Sequence, residues 1–70
     1  MDKSKNGLVI EFKVARSKEE LLSSSEEALK QIEEKNYTRE LKMRGIKRVV
    51  LVGISFYQRE FEVVGKVIED

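Results

Sequence analysis

Glu11-Phe12-Lys13 is the one place in this sequence where residue types and spacing combine into recognisable chemistry. On an extended backbone, alternate residues leave the same face of a sheet, so this carboxylate and this ammonium would stand side by side. A carboxylate oxygen can hold a hard divalent cation such as magnesium. An ammonium group can orient a water or offset the charge that grows on a phosphoryl oxygen. A bound cation acidifies its water and polarises a phosphate, and together these parts are the means of phosphodiester hydrolysis. One glutamate is a poor magnesium site, so the chemistry requires a second carboxylate. The plainer alternative is a surface ion pair on an edge strand, worth roughly 0–1 kcal/mol. Taken alone, a triplet built from such common residues favours that alternative.

The composition narrows the rest. The 70 residues include no cysteine and no histidine, which removes disulfides, thiol nucleophiles, imidazole-based triads and the usual zinc sites. Fourteen basic and 13 acidic residues leave a net charge of +1, so no global surplus points to nucleic acid. A small basic cluster, Lys42, Arg44, Lys47 and Arg48 with Arg39 nearby, predicts at most weak, salt-sensitive phosphate attraction. The longest apolar run, Val49 to Ile54, is far below the ~20 residues of a membrane span, so no membrane role is expected. Absent cysteine and the lack of a leader-like segment favour a cytoplasmic setting.

The elements that must position the triplet follow from periodicity. Leu8 to Val14 predicts a strand with Leu8, Ile10, Phe12 and Val14 on a wholly apolar face and Val9, Glu11 and Lys13 on the other. Ser17 and Glu20 have the spacing of a capping box, which opens one long helix over Lys18 to Lys35. Its apolar stripe is Leu21, Leu22, Ser25, Ala28, Leu29 and Ile32. Ser23 to Ser25 is its weak point, since serine favours caps over helix interiors. A short helix within 36–45 ends at Gly45, a residue suited to a left-handed terminus. Ile46 to Ile54 predicts a central strand, Ser55 to Arg59 a connection, and Glu60 to Ile68 a half-exposed or edge strand with Phe61, Val63, Gly65 and Val67 on one side. The helical first connection predicts a parallel crossover, and the second predicts a hairpin.

The expectation is therefore an α/β fold: a three-stranded mixed sheet in βαββ order with helices on one face. The central strand asks for cover on both faces, and helices supply only one. A homo-oligomer, most simply a dimer, or a missing piece of the original protein would cover the other. Two chains could also turn their Glu11 and Lys13 faces to a shared cleft.

Three blocks carry a resemblance: Val9 to Val14, Glu27 to Tyr37 and Arg48 to Phe56. In this order and spacing they resemble the restriction-endonuclease-like superfamily named for its PD-(D/E)XK signature. More narrowly, they look like the C-terminal nuclease-like domain of uncharacterised bacterial proteins that begin with an AAA-ATPase-like domain. The resemblance implies that Glu11 is the acidic metal ligand and Lys13 the lysine of the signature. It implies that Gln31 flanks the catalytic site, with Tyr37 and Lys35 placed to touch substrate. It further implies magnesium as the cofactor of a complete domain. Residue by residue, the bland readings are a rim glutamine, a packing tyrosine and an ordinary helix-end lysine.

The sequence also departs from that pattern. The superfamily's first aspartate lies on a strand before the E-x-K strand, and here only seven polar or flexible residues precede Leu8. Asp2 stands nine residues before Glu11, too close for a strand, a turn and correct placement. The expectation is a single truncated nuclease-like domain over 1–70, a partial restriction-endonuclease-like core that does not hold magnesium tightly or cleave appreciably alone. A non-enzymatic, self-associating interaction module is the competing expectation.

Overall fold

A computed structural model describes residues 6–35 and 37–69. Asp2 lies outside them. The order is β1 (Asn6–Val14), a single 3₁₀ turn (Lys18–Glu20), α1 (Leu21–Glu34), α2 (Tyr37–Met43), β2 (Arg48–Tyr57) and β3 (Glu60–Glu69). The sheet order is β1-β2-β3, with β1 and β2 parallel and β2 and β3 antiparallel. This is the expected α/β fold, a three-stranded mixed sheet with its helices against one face.

The core lies between α1 and that face. Ile32, Val49 and Leu51 are fully buried, and Val9, Leu29, Leu41, Ile46 and Ile68 pack against them. Small residues set how close the helix comes. A Cβ on Gly53 would run into the Ser25 carbonyl oxygen and lie 2.7 Å from the Leu29 nitrogen. Ser24 and Ser25 are buried, and the Ser25 hydroxyl donates to the Leu22 carbonyl at 2.8 Å within the helix. Ser55, also buried, donates to the Leu21 carbonyl at 2.5 Å and pins the start of α1 to β2. The serine run that looked like a helix weak point is therefore the contact surface itself. Bulkier side chains would hold the helix off the sheet.

Several local expectations change. Ser17 makes no side-chain cap; its carbonyl accepts from the Glu20 N–H at 3.1 Å, which closes the 3₁₀ turn instead. Leu22 is half exposed, and Ser24 takes its place in the buried stripe. β2 starts two residues later than expected and runs on to Tyr57, because Ser55, Phe56 and Tyr57 pair with Glu62, Phe61 and Glu60. The hairpin connection shrinks from five residues to Gln58 and Arg59, with Gln58 at φ 57°. α2 ends at Met43, and Gly45, the expected terminal glycine, follows in its closing turn with a φ of 88°. Its terminal turn is closed by the Ile46 N–H to the Leu41 carbonyl at 3.2 Å.

None of the described residues covers the other face of the sheet. Leu8, Ile10, Phe12 and Val14 of β1 align with Val50, Val52, Ile54 and Phe56 of β2. These align in turn with Val67, Gly65, Val63 and Phe61 of β3. Phe12 and Phe61 are 59% and 64% exposed. Phe12 and Phe56 stack with ring centroids 5.8 Å apart.

Candidate active site

Glu11 and Lys13 project from β1 towards α1, beside Gly53 and Ser55 of β2. They do not pair with each other. Lys13 Nζ lies 2.8 Å from Glu27 Oε1, and Lys35 Nζ lies 3.7 Å from Glu11 Oε2. The surface pair expected within the triplet is thus replaced by two crossed pairs, each joining β1 to α1. The cause is the close seat of the helix over Gly53, which brings helix side chains nearer than the neighbour two residues along the strand.

One helical stripe supplies these partners. Glu20, Ser24, Glu27, Gln31 and Lys35 recur at steps of three and four and so share a side of the helix. Gln31 is half-buried, midway along the stripe between the residues that hold Lys13 and Glu11. Lys35 caps the C-terminal end of α1, where an ammonium also suits the helix dipole. Tyr37 opens α2, and its side chain lies outside the described residues. Four of the five expected site residues, Glu11, Lys13, Gln31 and Lys35, therefore meet along one seam between β1 and α1.

The seam carries alternating charge. Lys13 holds the Glu27 carboxyl below the usual carboxylate range, first by its hydrogen bond and then by its charge, with smaller help from Arg16 and Lys30. Beyond Lys13 the seam opens into a cleft of about 230 Å³, lined by Lys13, Val14, Arg16, Glu20, Ser23, Ser24 and Glu27. Glu27 and Arg16 were not among the expected site residues. For Glu27 the signal was available: it shares the helical stripe of Gln31 and Lys35.

A magnesium ion does not fit this donor set. Among the described residues no three acidic or other ligating side chains converge. The one carboxylate of the triplet faces an ammonium group. A divalent cation at Glu11 would have to displace Lys35 and find further oxygens elsewhere.

The basic cluster is partly spent on internal pairs. Arg44 meets Glu40 at 3.3 Å and Arg48 meets Glu69 at 3.4 Å. Among the described residues no helix is long and apolar enough to cross a membrane.

A family model of the PD-(D/E)XK nuclease superfamily matches residues 1–66. No curated protein and no solved structure matches.

Proposed function

Since the chain belongs to the PD-(D/E)XK nuclease superfamily, we propose that it supplies the E-x-K part of a nuclease-like site and does not cleave appreciably alone. The observation that carries this reading is the placement of Glu11 and Lys13 on the same side of β1, facing the α1 stripe that holds Gln31 and Lys35. Glu11 is the metal-side carboxylate. Lys13 orients the attacking water and steadies charge on a phosphoryl oxygen. Gln31 orients the scissile phosphate, and Lys35 and Tyr37 contact substrate. In a complete domain Glu11 and a second carboxylate would hold magnesium, which would supply Lewis acidity there. The chain is then the back part of such a domain, in a bacterial cytoplasmic protein that also carries an AAA-ATPase-like domain. Its own contribution to nucleic-acid binding is weak, since Arg44 and Arg48 already have acidic partners.

The test is a magnesium or manganese titration followed by backbone NMR, with Glu11→Gln as control. Shifts centred on Glu11 and Lys13 are expected only above about 1 mM metal, and are expected to vanish in the control. Shifts spread evenly over the exposed glutamates of α1, unchanged by Glu11→Gln, would overturn the assignment. Metal-dependent nicking of DNA that disappears in both Glu11→Gln and Lys13→Ala would overturn the claim of inactivity.

A second reading is favoured by a separate observation, the open apolar face of the sheet. In it the chain is a self-associating module, in the first instance a dimer.

A further inference from the structure

The open face is large, free of charge and graded along its length. Its four cross-sheet rows are Leu8/Val50/Val67, Ile10/Val52/Gly65, Phe12/Ile54/Val63 and Val14/Phe56/Phe61. No polar side chain interrupts them. From the exposure of these residues, the apolar surface left open is on the order of 900 Å². That exceeds the largest patch of an ordinary monomer, roughly 300–600 Å². Covering it with an equal face would remove on the order of 1,500 Å² in total, the size of a standard stable interface.

The grading selects how two such faces meet. All three aromatic rings lie in the last two rows. Val50, Val67, Val52 and Gly65, the smaller residues, lie in the first two. With the strands of the two sheets aligned, two copies can stack face to face about a two-fold axis in two ways. An axis along the strands puts the same row on itself: Phe56 meets Phe56 at one end and Val50 meets Val50 at the other. The two sheets would then be wedged apart at the aromatic end. An axis across the strands puts the first row on the fourth and the second on the third. Phe56 then meets Val50, Phe61 meets Val67, and Val63 meets Gly65. Large residues face smaller ones along β2 and β3, while on β1 Phe12 meets Ile10 and Val14 meets Leu8, so the bulkier rows of one copy lie on the lighter rows of the other.

Charge at the rim points the same way. The row just before Leu8/Val50/Val67 is Asn6/Arg48/Glu69. With the axis along the strands, Arg48 of one copy lies over Arg48 of the other. With the axis across them, Glu69 comes over the turn that contains Arg59, and opposite charges meet.

We propose that the open face seats a second copy of this chain, stacked sheet to sheet about a two-fold axis running across the strands. This rests on the self-association reading and deepens it by assigning the face and the axis. The pair is isologous and closed, with strands of the two sheets roughly aligned and the sheets about 10 Å apart. Both α1 helices lie on the outside of the sandwich. Each Glu11–Lys13 seam therefore faces away from the other, so the two seams share no cleft. The shared-cleft expectation has no place in this assembly.

The full chain is tested in two steps. Light scattering across concentration is expected to give twice the monomer mass at about 10 µM. Val63→Glu, midway along β3 on the open face and away from α1, is expected to weaken the dimer by at least about 100-fold with its circular dichroism unchanged. A monomer at hundreds of micromolar would overturn both self-association and this inference. A dimer that Val63→Glu leaves intact would overturn the assigned face. The second step reads the axis, and the absence of native cysteine allows a single spin label at Gln58→Cys. Five residues from the middle of the face, the labelled positions are expected about 35 Å apart with the axis across the strands, and about 10 Å apart with it along them. The longer distance supports the proposal. The shorter one overturns the axis while leaving self-association standing.

Discussion

Lys13 has Glu27 as its partner and Glu11 has Lys35, and this exchange governs how the seam responds to pH. Glu27 titrates below its ordinary value of 4.5 because Lys13 hydrogen-bonds to it and faces it with a positive charge. Replacing Lys13 by methionine is expected to move Glu27 back up towards that value, read by carboxyl-carbon NMR titration. A Glu27 that titrates identically in both proteins would count against the pairing. The sign of the stability effect follows from linkage. A carboxyl whose folded pKa is depressed contributes stability above its unfolded pKa, and the contribution disappears as pH falls through the folded one. The wild-type advantage over Lys13→Met should therefore narrow on acidification below about pH 4.5. Its size is small, because the pair is open to solvent. Glu11, Lys13, Gln31 and Lys35 could be picked out as candidates from the sequence, and they lie along one β1–α1 seam. Their partners were not, since pairing depends on where α1 lands and the triplet's own spacing is silent on that.

Among the elements, β2 controls the geometry through one residue without a side chain. Gly53 lies beside Glu11 in the sheet and beneath the Ser25 to Leu29 segment of α1. Gly53→Ala would place a methyl group against helix backbone, which has no rotamer with which to yield. The expected cost is about 1–3 kcal/mol or more, or roughly 4–8 °C in Tm for each kcal/mol. Thermal denaturation measures it. The same variant should release the Glu27 carboxyl towards its ordinary pKa, because the helix must lift away from Lys13. An unchanged Tm would mean that the close approach at Gly53 does not hold the helix. The strands, both helices, the parallel crossover and the terminal glycine at Gly45 could be read from periodicity and residue type. The hairpin could be read too, but not the place and length of its two-residue turn. Gln58 takes a positive φ without being glycine or asparagine, so nothing in its type marks the turn. The capping box failed for a related reason: the chain enters α1 through a 3₁₀ turn whose backbone bond does the work of the expected hydroxyl.

At the scale of the whole molecule, the chain is thin. Its extents are 43 × 25 × 13 Å and its radius of gyration is 13.6 Å. A compact domain of this length would have a radius of gyration of about 11 Å. The excess belongs to a layer of helix and a layer of sheet whose far side none of the described residues covers. If a second copy supplies the third and fourth layers, folding is coupled to mass action. The Tm should then rise by a few °C for each tenfold increase in protein concentration. The Tm of Val63→Glu should not vary with concentration, and differential scanning calorimetry over two decades separates the cases. A wild-type Tm independent of concentration would argue against a dimer that stabilises the fold.

The sequence by itself determined the order of elements, the two faces of each strand and the superfamily whose pattern the E-x-K triplet and its flanking blocks carry. Periodicity of two and of 3.6 is a local property, so it survives in one dimension. Tertiary structure decided which face α1 covers. The helix lies over the Glu11 and Lys13 face, where Gly53 and the buried serines Ser24, Ser25 and Ser55 let it sit close. The continuous apolar face is the one left open. A hydrophobicity pattern alone would have put the helix on that apolar face. The close approach that overrides it is a property of backbone distances between elements far apart in the chain, which no local spacing records.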